Sequence, residues 1–104
     1  RDHFRATWYS HQAMAAAVAG QYEQAVDLAR MTLAQNPEFL GGFRTLAVGL
    51  AYLGRKGEAD AAMRALRERL PEMTLRSAAE QLPFSESSCR DRYIEGLRIA
   101  GLPE

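Results

Sequence analysis

The chain reads as an all-α protein built from stacked helix pairs, and three observations predict it. A set of residues recurs at a spacing of 34: Gly20 as Gly54, Ala13 as Ala47, Ala25 as Ala59, and Pro37-Glu38 as Pro71-Glu72. Long runs of helix formers lie between Gly and Pro punctuation marks. No alternating apolar run and no Asn-Gly turn signals a strand or a hairpin. A fixed period of this length, with small residues inside and Pro at the end, belongs to helix pairs that bury their faces against one another.

Each element follows from local chemistry. Asp2 is placed to cap a first helix from about His3 to Ala19, in which Phe4, Trp8, Ala15 and Val18 recur as an apolar stripe. Gly20 ends it, because Gly accepts the left-handed conformation that closes a helix. A second helix starts near Tyr22, carries Ala25, Val26, Ala29 and Leu33 on one face, and stops at Asn36-Pro37. Proline disfavours helical geometry in the residue before it. The third helix, roughly Phe39 to Leu53, contains Phe43, Leu46, Ala47, Leu50 and Leu53. It opens on Gly41-Gly42, which costs about 1 kcal/mol per Gly relative to Ala. A close approach of the backbone to the preceding pair is the expected compensation. Gly54 terminates this helix. Gly57 opens a fourth, running to about Leu70, with Ala59, Ala62, Met63 and Leu66 inward.

Beyond Pro71 the pattern changes. A short helix from about Leu75 to Gln81 is interrupted by Leu82-Pro83-Phe84. Ser85 then caps a last helix to about Ala100, with Tyr93, Ile94, Leu97 and Ala100 as its stripe. This pair departs from the repeat, as expected of a terminal unit that covers the apolar face of its neighbour.

The stretch Ala19-Gly20-Gln21-Tyr22-Glu23-Gln24-Ala25-Val26, followed by Asn36-Pro37, resembles the tetratricopeptide repeat (TPR). Leu53-Gly54-Arg55-Lys56-Gly57-Glu58-Ala59, followed by Leu70-Pro71, resembles a second copy. The resemblance implies a right-handed helical solenoid: two helix-turn-helix repeats, about 6–39 and 40–73, plus a degenerate capping pair at about 74–100. Thr32 and Leu66 depart from the Ala often found near the end of the second helix, and Lys56 replaces the aromatic at Tyr22. The C-terminal stretch, Leu82-Pro83-Phe84 and then Arg92 through Glu104, is similar to the tail of a bacterial group. There, TPR segments follow a class III adenylate or guanylate cyclase domain, or a winged-helix DNA-binding domain. That likeness implies a cytoplasmic, non-catalytic regulatory segment of a longer protein. Arg1 at the start and Leu102-Pro103-Glu104 at the end read the same way, as a C-terminal fragment.

Composition narrows the function further. The length of 104 residues suits one domain. Lys+Arg of 13 balances Asp+Glu of 13, so the net charge is zero. That speaks against nucleic acid, whose phosphates need an excess of positive charge to displace counterions. Only Lys56 among the basic residues is not Arg, which reflects either codon usage or the bidentate grip of Arg on carboxylates. No apolar run reaches the roughly 20 residues of a membrane span. The single Cys89 excludes an internal disulfide and points to a reducing compartment.

The resemblance also places a partner. In this fold the first helix of each pair lines a concave face, whose residues here are Thr7, Ser10, His11, Met14, Val18, Arg44, Thr45, Val48 and Tyr52. An extended peptide, a helix or an upstream domain of the same chain would bury apolar side chains against Met14, Val48 and Tyr52. Arg44 would pair with a carboxylate. A second arrangement stands beside it: Val18 and Val48 contact neighbouring helices, and the last helix folds back over the groove. Self-association through the Phe4 and Trp8 edge is a third possibility, giving a homodimer. The Lys and Asn with which related proteins clamp chaperone tails are replaced by Ser10, Met14, Arg44 and Val48.

Chemistry finds little support. His3 and His11 stand roughly 12 Å apart along a helix, too far for one metal. No His or second Cys accompanies Cys89. Ser85, Ser87 and Ser88 suit helix capping. Gly54-Arg55-Lys56-Gly57 follows a helix rather than a strand and lacks the Gly-Lys-Ser/Thr ending of a phosphate loop. No metal, cofactor or catalytic site is expected.

Overall fold

A computed structural model describes residues 2–82 and 87–104. Its elements are all helical: α1 (Asp2–Val18), α2 (Tyr22–Gln35), α3 (Leu40–Tyr52), α4 (Lys56–Arg69), α5 (Leu75–Gln81) and α6 (Ser87–Ile99). There is no strand among the described residues. The bounds of α1 to α4 lie within about one residue of the sequence expectation. The expected break at Pro83-Phe84 and the cap at Ser85 lie outside the described residues.

The sequence repeat is a repeat of backbone geometry. Gly20 and Gly54 take positive φ, +84° and +77°. At the end of α1, Gly20 N–H donates to the Ala17 carbonyl at 3.2 Å and Gln21 N–H to Ala16 at 2.9 Å. At the end of α3, Gly54 N–H donates to Ala51 at 3.1 Å and Arg55 N–H to Leu50 at 3.0 Å. This pair of bonds satisfies carbonyls that the helix itself leaves open, and it needs a residue at ease with φ > 0. The residue that follows repeats too: Gln21 (φ −94°, ψ 73°) and Arg55 (φ −87°, ψ 71°). Local chemistry therefore sets the same tight corner twice, 34 residues apart.

Packing runs in chain order, α1 on α2, α2 on α3, α3 on α4, after which α6 turns back onto α3 and α1. The matched alanines sit inside: Ala13 and Ala47 are both 0% exposed. Gly41 and Gly42 are buried, and a Cβ on either would stand 2.8 Å from Ser10 Oγ or from Leu33. The helix penalty of the two glycines is offset by the approach of α3 to the first pair. Gly49 continues this line, with Val26 2.8 Å from where its Cβ would be. Ion pairs link α2 and the loop after it to α4 and its N-cap: Glu23–Arg55 at 3.4 Å, Arg30–Glu58 at 3.2 Å and Glu38–Arg69 at 2.7 Å. All three are exposed and add little stability.

The apolar stripe read from the sequence, Phe4, Trp8, Ala15 and Val18, is not the buried side of α1: Trp8 is 53% exposed and Ala15 is exposed, Val18 is half-buried, and the Phe4 side chain lies outside the described residues. The buried side of α1 is instead Ala6, Ser10, Ala13, Met14, Ala16 and Ala17. Period alone cannot distinguish the two sides of a helix that is apolar over much of its circumference. The small-residue side won because it lets α2 and α3 approach closely.

Candidate functional site

The residues read from the sequence as a groove lie where α6 packs against α3 and α1. The seat of α6 is built from residues that α3 presents at successive turns, Thr45, Val48 and Tyr52. Tyr93 and Leu97, one turn apart on α6, are both 0% exposed. The Tyr93 and Thr45 hydroxyls lie 2.7 Å apart in a buried hydrogen bond, and the Arg44 charge is felt at the Tyr93 hydroxyl. Burial pushes the Tyr93 pKa up, while the Arg44 charge and the Thr45 hydrogen bond pull the other way. Between Tyr93 and Leu97, Gly96 brings the α6 backbone against α3. A Cβ there would meet Val48 Cγ1 at 2.6 Å and the Tyr52 ring at 2.9 Å.

Two polar clamps hold the rim. The Tyr52 hydroxyl donates to the Arg92 carbonyl at 2.7 Å. Its ring stacks on Tyr22 with centroids 4.4 Å apart and planes 12° apart, and burial raises its pKa first, then the Tyr22 neighbour. Arg92 Nη1 in turn donates to the Val18 carbonyl at 2.8 Å. That carbonyl belongs to the last turn of α1, where helix carbonyls lack partners and a cation is favoured.

Of the nine groove residues read from the sequence, Thr45 and Val48 are wholly buried, and Ser10 and Met14 are 4% and 8% exposed. Val18, Arg44 and Tyr52 are half-buried at the edges of α6, while Thr7 and His11 are exposed. Arg44 Nε is buried without a hydrogen-bond partner. Arg44 also borders a solvent-open cleft of about 440 Å³ between α3, the end of α4 and α5, with Leu40, Arg69, Leu70 and Met73. A second open cleft of about 440 Å³ runs along α4 beneath Ala100 and Gly101.

What the sequence reading passed over was Gly96. A glycine in a helix interior costs about 1 kcal/mol, the same signal that marked Gly41-Gly42, and it identifies the side of α6 that seats on α3. Chemically, the arrangement is a helix held in a groove by one aromatic, one leucine and a few hydrogen bonds. No group of three His, Cys, Asp or Glu residues able to hold a metal occurs among the described residues. Among them, too, no helix is long and apolar enough to cross a membrane. Comparisons of the chain with family models, curated proteins and solved structures find no match.

Proposed function

We propose that this chain is a non-catalytic protein-interaction module of the TPR type, serving as a regulatory segment C-terminal to an adenylate cyclase domain. The observation that carries the interaction reading is the repeated hairpin. The same glycine-closed corner and the same buried alanines recur at a spacing of 34, and stacked hairpins present extended surfaces for recognition. The seating of α6 supports a groove suited to helices, since an amphipathic helix lies in it through apolar anchors one turn apart. Because α6 fills that groove, a partner in this state meets the outer surfaces of the stack or displaces α6. The cyclase assignment rests on the C-terminal sequence likeness.

The experiment is to express the full reading frame that contains this segment, with and without it, and measure cyclic nucleotide formation from ATP. The expected outcome is an altered rate or an altered response on deletion. A parent without a cyclase domain ends the cyclase assignment, and a DNA-binding winged helix there would move the regulatory role to transcription. Calorimetric titration of the purified chain with the purified upstream domain tests the interaction itself.

A further inference from the structure

The 34-residue repeat accounts for the cleft between α3, the end of α4 and α5. In the first unit Ser10 on α1 lies beneath α3 and is 4% exposed. A Cβ on Gly41 would stand 2.8 Å from its Oγ. One repeat on, Ser10 becomes Arg44 and Gly41 becomes Leu75. A long cationic side chain replaces the hydroxyl, and a leucine stands where the covering helix had bare backbone. The seven-residue α5 packs on α6 and not on α3. This leaves an opening of about 440 Å³ with Arg44 in its wall, a volume within the roughly 300–1,000 Å³ of small-molecule sites.

The polar groups of the cleft differ in what they already hold. Arg69 Nε and Nη2 donate to the two Glu38 carboxylate oxygens at 2.7 and 3.2 Å, and its Nη1 donates to the Ala65 carbonyl at 2.8 Å. The Ser77 hydroxyl is taken up by the cap of α5, accepting from the Thr74 N–H at 2.9 Å and donating to the Thr74 carbonyl at 3.1 Å. Arg44 is different. No ion pair joins it to a carboxylate among the described residues. Its Nε is buried without a hydrogen-bond partner among them. A buried donor left unpaired is costly, more so on a charged group, and the guanidinium fork matches a carboxylate.

Around that charge the lining is largely apolar. Leu40 stands one turn before Arg44 on the same side of α3, and Leu70 and Met73 come from the α4–α5 connection. The third charged group of the lining is Glu72, which is exposed and would repel a second acidic group on the ligand. A single acid group on an apolar body meets all of these conditions.

We propose that this cleft binds a small monocarboxylic acid with an apolar chain, its carboxylate on Arg44 and its chain against Leu40, Leu70 and Met73. The site goes beyond the protein-interaction reading and does not depend on it. Titration of the 104-residue chain with octanoate, octanamide and acetate, followed by two-dimensional amide NMR, is the test. Octanoate is expected to bind at least about tenfold more tightly than either of the others, since octanamide lacks the charge and acetate lacks the chain. The shifts should centre on Leu40, Arg44, Met73 and Ser77. Arg44→Gln should weaken octanoate binding by about tenfold with unchanged far-ultraviolet circular dichroism. Arg64→Gln, at an exposed position of α4, should leave it unchanged. Octanamide binding as tightly as octanoate would mean an apolar surface only, and acetate binding as tightly would mean an adventitious ion only. Either result overturns the proposal, as do shifts centred elsewhere or no binding at about 10 mM octanoate. Should Arg44→Gln fail to fold, the ligand comparison and the shift map on the wild-type chain decide the matter.

Discussion

The two ends of the helix stack solve the same problem in opposite ways. At the carboxy end, the apolar residues of α3 and α4 are covered by the chain's own α5, α6 and tail. Tyr93, Leu97 and Leu102 are at most 3% exposed, and the Leu75 N–H donates to the Pro103 carbonyl at 2.8 Å. Outside that cover, α4 shows solvent Asp60, Arg64 and Arg67. At the amino end the exposed residues of α1 and α2 include Trp8, Ala15, Gln24 and Met31 together with the charged Arg5 and Asp27. Closure at the carboxy end is written into the chain as large inward side chains. The amino end is written with large outward ones.

The largest expected effect breaks the closed end. Leu97→Ala leaves a cavity beneath α6 and should cost about 2–5 kcal/mol in urea unfolding. A loss below about 1 kcal/mol would mean that α6 is not part of the core and that both ends are open. Tyr93→Phe comes next. It strands the buried Thr45 hydroxyl, at a cost of about 1–3 kcal/mol. It also has a pH signature. The Tyr93 pKa is raised in the folded state, so its contribution is fully present below the unfolded value of about 10 and is lost as pH rises through the folded value. Alkaline titration of stability should therefore fall less steeply in Tyr93→Phe than in the wild type.

At the amino end, Trp8→Glu should change chain stability by no more than about 0.5 kcal/mol. A large destabilisation would show that Trp8 is packed in solution and would erase the contrast between the ends. The smallest effect belongs to Glu38→Gln. The Arg69 hydrogen bond, then its charge, holds the Glu38 carboxyl below the usual carboxylate range. That pair stabilises above the unfolded carboxylate pKa and fades as pH falls through the folded value. Both groups face solvent, so acid titrations of wild type and variant should diverge only slightly. A wide gap would show that this ion pair stabilises more than exposed pairs ordinarily do.

Much of this was legible along the chain. Gly20, Gly54, Pro37 and Pro71 identify the helix ends because helix termination depends on a few neighbouring residues. Gly41-Gly42 announced a close contact because a pair of helix-breaking residues inside a helix needs compensation. The groove was harder. Its lining residues Thr45, Val48 and Tyr52 could be picked out from their helical spacing, yet the same spacing holds whether a partner or the last helix lies over them. The stripe on α1 misled for a related reason: Trp8 and Ala15 recur as inward residues do, but Ala13, Ala16 and Ala17 form a smaller side on which neighbours can approach more closely.

By itself the sequence determined six helices, their corners and the 34-residue register, all through interactions spanning a handful of residues. Tertiary structure decided where α6 lies. Its apolar stripe demands burial but does not name a surface. The choice comes from Gly96 meeting Val48, from Tyr93 reaching Thr45 across 48 residues of chain, and from Arg92 reaching Val18 across 74. Shape and hydrogen-bond complementarity between distant segments exist only once the backbone has brought them together.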